Sequence, residues 1–154
     1  APATLQNKFS PYHPGSLHNA RGEDYVAFCK TNHIALVAYS PLNAWPSALA
    51  AVTDAHVTHI AAKLGKTPGQ IVLRWAIEIG ISVLTRSRSL ERLKEAAAVL
   101  DFELSTADID IISGLVHFVA SGSHKPPPSI SDVLHVGAAE QDAEERVRKL
   151  STEL

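Results

Sequence analysis

The stretch ISVLTRSRSLERLKEAAAVLDFELS, residues 81–105, shows how this chain is built. It begins with a short apolar run, passes through two arginines and three hydroxyl residues in TRSRS, and continues as an amphipathic helical pattern. A short apolar run that leads directly into a helix is typical of a buried strand in a βαβ unit. Arginines and hydroxyls at such a junction indicate an anionic ligand, because helix N-termini and guanidinium groups both bind anions.

The same alternation of strand and helix runs through most of the sequence. The predicted order is β-α-β-α-α-β-α-α, which is typical of a parallel sheet with flanking helices. The middle strand, IALVAYS, is a nearly continuous apolar run, so we expect it to be buried on both faces. The predicted strands are residues 2–9, 34–40 and 81–85, and the predicted helices are 21–32, 57–64, 68–79, 89–99 and one that begins at Ser105.

Composition indicates a globular protein with a real core. The chain has 154 residues, of which 45% are hydrophobic, and a net charge of −2. This charge argues against nucleic acid as a partner, and no run of 18 apolar residues predicts a membrane span. The N-terminus has no secretory pattern, and a lone cysteine, Cys29, fits a reducing compartment, so we expect a cytoplasmic protein. Cys29 itself is interpreted as a small buried apolar residue. The sequence contains no methionine, which suggests a piece of a longer protein or a processed product.

Three segments are predicted along the chain. Residues 1–118 carry the alternating pattern and form the main domain. Residues 119–131, VASGSHKPPPSIS, contain three consecutive prolines and are interpreted as a stiff linker. Residues 132–154 are rich in charge and are predicted to form a solvated helical tail.

Polar side chains follow each predicted strand, and these strand ends are the candidate functional sites. Carboxyl ends of parallel strands lie at one edge of a sheet, where ligands of such folds bind. The histidines at 56 and 59 have the spacing of neighbours on a helix, but no third metal ligand has an evident spacing, so we interpret them as surface residues. Tyr12 and His13 are interpreted as parts of a structural turn, and Trp75 as a packing residue.

Four separated segments together resemble the C-terminal half of an aldo-keto reductase. They are PATLQNKFSPY at 2–12, YSPL at 39–42, LGKTPGQIVLRWAIEIGISVL at 64–84 and SLERLKEAAAVLDFELS at 89–105. Their order and separation also match, and the resemblance covers roughly residues 2–115. It implies an α/β fold that is the C-terminal part of a TIM (β/α)8 barrel, with three parallel strands, the sixth to the eighth. It also implies that NADP(H) lies across the carboxyl ends of these strands.

The resemblance assigns cofactor roles to individual residues. Gln6 would bind the nicotinamide carboxamide and Tyr39 would stack on the nicotinamide ring. Arg92 would bind the 2′-phosphate and stack on adenine, and Glu95 would lie on the adenine side. Ala96 stands where the family commonly has an asparagine, so one hydrogen bond to adenine is expected to be lost. The remaining residues implied to contact the cofactor's phosphates are Ser40, Leu42, Asn43, Arg86, Ser87 and Arg88.

The catalytic aspartate, tyrosine, lysine and histidine of the family lie on its first four strand ends, and no counterpart is found in this sequence. We therefore expect no catalytic residue and no metal site here, and an inactive chain when it stands alone. The complete protein is expected to act on a small-molecule carbonyl or alcohol. Two alternatives remain open: a non-catalytic interaction or regulatory protein, and a degenerate product without activity. Because open strand edges promote association, we also expect self-association or binding of a complementing N-terminal half.

Overall fold

Three parallel strands form one sheet in the order in which they occur along the chain. They are β1 (Thr4–Lys8), β2 (Ala35–Tyr39) and β3 (Ser82–Leu84). In the register of the sheet, Lys8 lies beside Tyr39, and Tyr39 lies beside Leu84. The carboxyl ends of all three strands therefore meet at one edge, which is where the sequence predicts the functional residues.

The computed structural model describes residues 2–14, 24–42 and 50–120, with side chains up to Leu115. The predictions for Asn43 and for the tail at 132–154 lie outside these residues. The helices are α1 (Tyr25–Thr31), α2 (Ala55–Leu64), α3 (Pro68–Glu78), α4 (Leu90–Ala97) and α5 (Thr106–Ala120), with short 3₁₀ turns at Ala51–Thr53 and Ala98–Leu100. The order of strands and helices is the predicted one, although α5 continues two residues into the predicted linker.

Local capping chemistry explains where the helices begin and end. Thr67 caps α3 in a reciprocal capping box with Gln70, and Pro68 occupies the first turn, where its missing N–H has no consequence. Gly65 ends α2 in the left-handed conformation, with φ 62°, which glycine adopts without strain. These are the residue types that general rules for helix ends favour at these positions.

The core lies between the sheet and the helices, and Trp75 is its largest residue. Trp75 is 2% exposed, and its ring stacks on Phe9 with centroids 5.3 Å apart. Its indole Nε1 donates a hydrogen bond to Ser113 Oγ at 2.9 Å, so the ring is buried with its polar atom satisfied. Cys29 is also 2% exposed. Both residues have the packing roles that the sequence predicts.

One prediction about the sheet is wrong. Strand β2 is not buried on both faces, because Leu36 and Ala38 are buried while Ala35 and Tyr39 are exposed. Helices cover only one face of the sheet in the part of the chain that the structure describes. The apolar run therefore reflects a strand with one face on the helices and one face open. No helix among the described residues is both long and apolar enough to span a bilayer.

Candidate functional site

A cleft of about 980 Å³ opens at the carboxyl ends of the strands. Its walls come from the ends of β2 and β3, from the start of α3 and from the side of α4. Strand β1 contributes Gln6, which lies in register with Val37 of β2. Eight of the predicted site residues line this cleft: Gln6, Tyr39, Ser40, Leu42, Arg86, Ser87, Arg92 and Glu95.

Two predicted site residues are not brought together with the others. Asn43 lies outside the described residues. Arg88 is exposed but does not line the cleft, whereas the preceding Ser87 does. The predicted contact of Arg88 with the cofactor therefore stays a prediction.

The cleft is suited to an anion. Arg86 and Arg92 both line it and are both exposed, and neither takes part in the ion pairs found among the described residues. Their guanidinium groups therefore remain available for charge-assisted hydrogen bonds to phosphate or carboxylate.

The serines of the same segment hold the backbone. Ser89 Oγ accepts a hydrogen bond from Arg92 N at 3.4 Å and caps α4. Ser87 Oγ accepts one from Ser89 N at 3.0 Å. The hydroxyls thus fix the start of the helix that carries Arg92, and charge for an anion comes from the arginines.

An aromatic residue and a strained residue end strand β2. Tyr39 is 41% exposed although it is a large aromatic residue, and it lines the cleft. Ser40 follows with φ 55°, in the left-handed region that serine rarely adopts. Such strain is concentrated at functional sites, where the surrounding structure maintains it. The turn after Tyr39 is therefore a feature of the cleft wall.

The first turn of α3 also lines the cleft, and the sequence analysis did not assign it to the site. Thr67, Gly69 and Gln70 are among the lining residues. Gln70 is 8% exposed, and its side chain binds Thr67 and α4. The capping sequence TPGQ indicated this turn, because a capped helix N-terminus is itself a feature that binds anions.

A buried polar network joins Tyr12, Asp54 and His56. Tyr12 donates its hydroxyl to Asp54 Oδ2 at 2.5 Å, and Asp54 Oδ1 lies 3.1 Å from His56 Nδ1. Burial, followed by the hydrogen bond to Asp54, raises the pKa of Tyr12 well above its ordinary value. His56 is 4% exposed, so its interpretation as a surface residue is wrong. The prediction missed that a cap on α2 turns this residue toward the protein.

Residues that commonly bind metals do not cluster here. Within residues 2–14, 24–42 and 50–120, no group of three His, Cys, Asp or Glu side chains is arranged to hold a metal ion. The cleft instead combines arginines, an exposed tyrosine and a capped helix start. Fold and cleft together define an α/β protein with a ligand site at the carboxyl ends of parallel strands.

Comparison with known proteins identifies the family. The family model described as "Aldo/keto reductase family" matches residues 1–117. The chain belongs to the aldo/keto reductase family. This result confirms the resemblance seen in the four sequence segments.

Individual relatives support the same family. The chain is 34% identical over 124 residues to a probable NAD(P)H-dependent D-xylose reductase, xyl1, of Neosartorya fischeri. The aligned region covers 74% of the chain and 36% of that protein. Human aldo-keto reductase family 1 member C3 is 32% identical over 112 residues, or 66% of the chain and 35% of that protein. The chain spans little more than a third of the length of these curated relatives.

Solved structures agree with the fold. A point mutant of Gox0644, in complex with NADPH, superposes with a TM-score of 0.63 at 25% identity and covers 74% of the chain and 38% of that protein. An aldo/keto reductase of Brucella melitensis superposes with a TM-score of 0.62 at 30% identity, covering 73% of the chain and 38% of that protein. Both structures thus share the fold of about three quarters of this chain, and the second is named as an aldo/keto reductase.

Proposed function

We propose that this chain carries the NADP(H)-binding part of an aldo-keto reductase. The complete protein would transfer hydride between NADP(H) and a small-molecule carbonyl or alcohol. One observation carries the proposal: Gln6, Tyr39 and Arg92, which are distant in sequence, line a single cleft at the carboxyl ends of the strands. The NADPH complex of the Gox0644 mutant supports it, because that protein has the same fold over most of this chain.

The residues of the cleft fit NADP(H). Its volume of about 980 Å³ lies at the upper end of the range for small-molecule and cofactor sites. Tyr39 offers an aromatic face for the nicotinamide ring, and Arg86 and Arg92 offer charge for phosphates. When bound, NADPH would supply the hydride of a carbonyl reduction. Ser40 and Leu42 would line the pyrophosphate, and Glu95 would lie beside adenine.

The proton of that reduction would come from outside this sequence. Carbonyl reduction needs an acid beside the hydride donor. The described residues that line the cleft include no lysine and no histidine. Tyr12 is buried and bound to Asp54, so its hydroxyl is not available to a substrate. We therefore infer that the three strands are the sixth to the eighth of a barrel and that the chain alone is inactive.

Isothermal titration with NADPH and NADH tests this proposal. Arg92→Gln should weaken NADPH binding by about tenfold or more, because a charge-assisted hydrogen bond contributes about 1.5–3 kcal/mol. It should weaken NADH binding less, because NADH lacks the 2′-phosphate and loses only the stacking of Arg92 on adenine. Arg88→Gln is the matched control, because Arg88 is exposed and does not line the cleft. Equal affinities of the unaltered chain for the two cofactors, or equal effects of the two substitutions, would contradict the assignment.

A second candidate function is a non-catalytic interaction protein, and helix α4 favours it. Within the described structure α4 buries none of its residues. Leu90, Leu93 and Leu100 are 68%, 43% and 67% exposed. At about 3.6 residues per turn Leu90 and Leu93 share one flank of α4, and Leu100 follows in the 3₁₀ turn. We call these three exposed leucines the leucine stripe. Glu95, which faces α3, lies on another side of the helix. The stripe therefore lies on a different side of α4 from the face that contacts α3.

We propose that a helix of a complementing N-terminal half covers the leucine stripe. The sheet supports this choice, because β3 is an edge strand that pairs only with β2 among the described strands. Copurification of the full chain with the N-terminal part of the xyl1 relative tests it. Leu90→Ser with Leu93→Ser should abolish copurification, whereas Ile79→Ser, a control at a 39% exposed residue, should not. Association of the chain only with itself, or equal behaviour of both variants, would contradict the proposed partner.

A further inference from the structure

We propose that Gln70 is a positioning residue that holds α4, and with it Arg92, against the start of α3. The inference rests on the proposed cofactor site and adds a residue that acts on Arg92 through α4. Gln70, Thr67 and Glu95 form a set of hydrogen bonds between the two helices, which we call the α3–α4 clamp. The clamp fixes the separation of the two walls of the cleft that would bind the phosphorylated adenosine.

The clamp joins the capping box of α3 to both the backbone and the side chain of Glu95 in α4. Gln70 Oε1 accepts a hydrogen bond from Thr67 N at 3.0 Å, which closes the capping box of α3. Gln70 Nε2 donates to the backbone oxygen of Glu95 at 3.0 Å. Thr67 Oγ1 donates to the carboxylate of Glu95 at 3.3 Å. Backbone and side chain of Glu95 are therefore both held by the first turn of α3.

The clamp matters because little else holds α4. Helix α4 buries none of its residues, whereas α3 buries six. The nearest buried apolar residue is Val99, in the 3₁₀ turn that follows α4. Arg74 also binds that turn, through a long hydrogen bond of 3.4 Å to the oxygen of Val99. Polar contacts, rather than apolar packing, thus determine where the body of α4 lies.

Arg92 is the residue whose position depends on this arrangement. It lies three residues before Glu95, so the two side chains share one face of the helix. Both line the cleft, as do Thr67 and Gln70 on the opposite wall. Gln70 is 8% exposed, so its amide is held in place between the helices. When the clamp is broken, α4 loses its tie to α3 and Arg92 loses its fixed distance from the α3 N-terminus.

The test compares Gln70→Met with Lys63→Met in the full chain. Methionine has a length similar to that of glutamine and no charge, but it cannot bind Glu95 or Thr67. Lys63 binds Asp108 at 3.1 Å and so ties α2 to α5, outside the cleft. Lys63→Met therefore also removes a polar contact between two helices, which makes it a matched control. Two measurements are made on each variant: amide hydrogen exchange of α4, and the affinity for 2′,5′-ADP, which carries the phosphorylated adenosine without nicotinamide.

We expect Gln70→Met to raise the exchange rate of α4 amides about tenfold relative to those of α2, and to weaken 2′,5′-ADP binding about tenfold. Lys63→Met should change neither quantity, even where it lowers the melting temperature. Unchanged exchange in α4 of the Gln70 variant would overturn the clamp. Faster exchange with unchanged 2′,5′-ADP affinity would overturn the positioning role. An unaltered chain that does not bind 2′,5′-ADP would instead refute the proposed cofactor site, while the exchange rates would still test the clamp.

Discussion

The hydrogen bond between Tyr12 and Asp54 should be a major local contribution to the stability of this fold. The Tyr12 hydroxyl lies 2.5 Å from Asp54 Oδ2, and the two residues are 6% and 5% exposed. Asp54 Oδ1 already accepts from His56 N at 2.8 Å, but Tyr12 is the donor found for Oδ2 in the described part of the chain. Tyr12→Phe would therefore leave a buried carboxylate oxygen without its donor, which costs about 1.5–3 kcal/mol.

Urea denaturation followed by circular dichroism measures this loss. With an m value of about 1–3 kcal/mol/M, the midpoint should fall by about 1 M. Tyr25→Phe is the control, because the Tyr25 hydroxyl donates at 2.5 Å to a neutral acceptor, the backbone oxygen of Lys8. Loss of a neutral hydrogen bond costs about 0.5–1.5 kcal/mol, roughly half as much. An equal or larger effect of Tyr25→Phe would refute the reasoning that the buried charge dominates.

The same bond predicts an alkaline dependence of stability. Burial and the hydrogen bond to Asp54 raise the pKa of Tyr12 in the folded protein above its ordinary value of 10.0. The folded state therefore retains a proton that the unfolded state loses. The contribution of Tyr12 to the free energy of unfolding is complete below about pH 10. It declines as the pH rises from there toward the pKa of Tyr12 in the folded protein. The difference in stability between the unaltered chain and Tyr12→Phe should accordingly shrink above pH 10.

Five further substitutions have outcomes that denaturation can check. Trp75→Ala should lower the free energy of unfolding by about 3–5 kcal/mol, because it removes a fully buried ring, and Ser113→Ala should cost far less. Burial raises the pKa of Asp108, but hydrogen bonds from Ser105 and Lys63 outweigh this effect and lower the pKa below 3.8. The free energy of unfolding should therefore fall as the pH drops below about 4. Asp108→Asn should make that decline less steep. Gly65→Ala should destabilise by about 1 kcal/mol because φ is 62°, whereas Gly114→Ala, inside α5 with open space around it, should stabilise by about 0.5–1 kcal/mol. A stabilising Gly65→Ala would contradict the left-handed cap.

Local signals in the sequence were enough to predict the order of the strands and helices. Thr67-Pro68 and Gly65 determine helix ends through hydrogen bonds and backbone angles that involve only neighbouring residues. The alternation of short apolar runs with helical patterns predicts a parallel sheet for the same reason. The strand ends then follow, and with them residues such as Tyr39, Ser40 and Arg86, which line the cleft.

The site required more than these local rules. Gln6, Tyr39 and Arg92 were placed together by resemblance to a family, and the structure places all three in one cleft. The interpretation of His56 as a surface residue was wrong because side-chain direction depends on the cap around the residue. The role of Gln70 was missed because its partner, Glu95, lies 25 residues further along the chain.

The sequence by itself therefore determined the succession of strands and helices, their caps and the family, because these depend on neighbouring residues and on motif order. Only the tertiary structure decided which side chains share the cleft, which face of β2 stays open and how α4 is held. These features depend on contacts between residues far apart in the chain, and periodicity along a sequence carries no information about such distances.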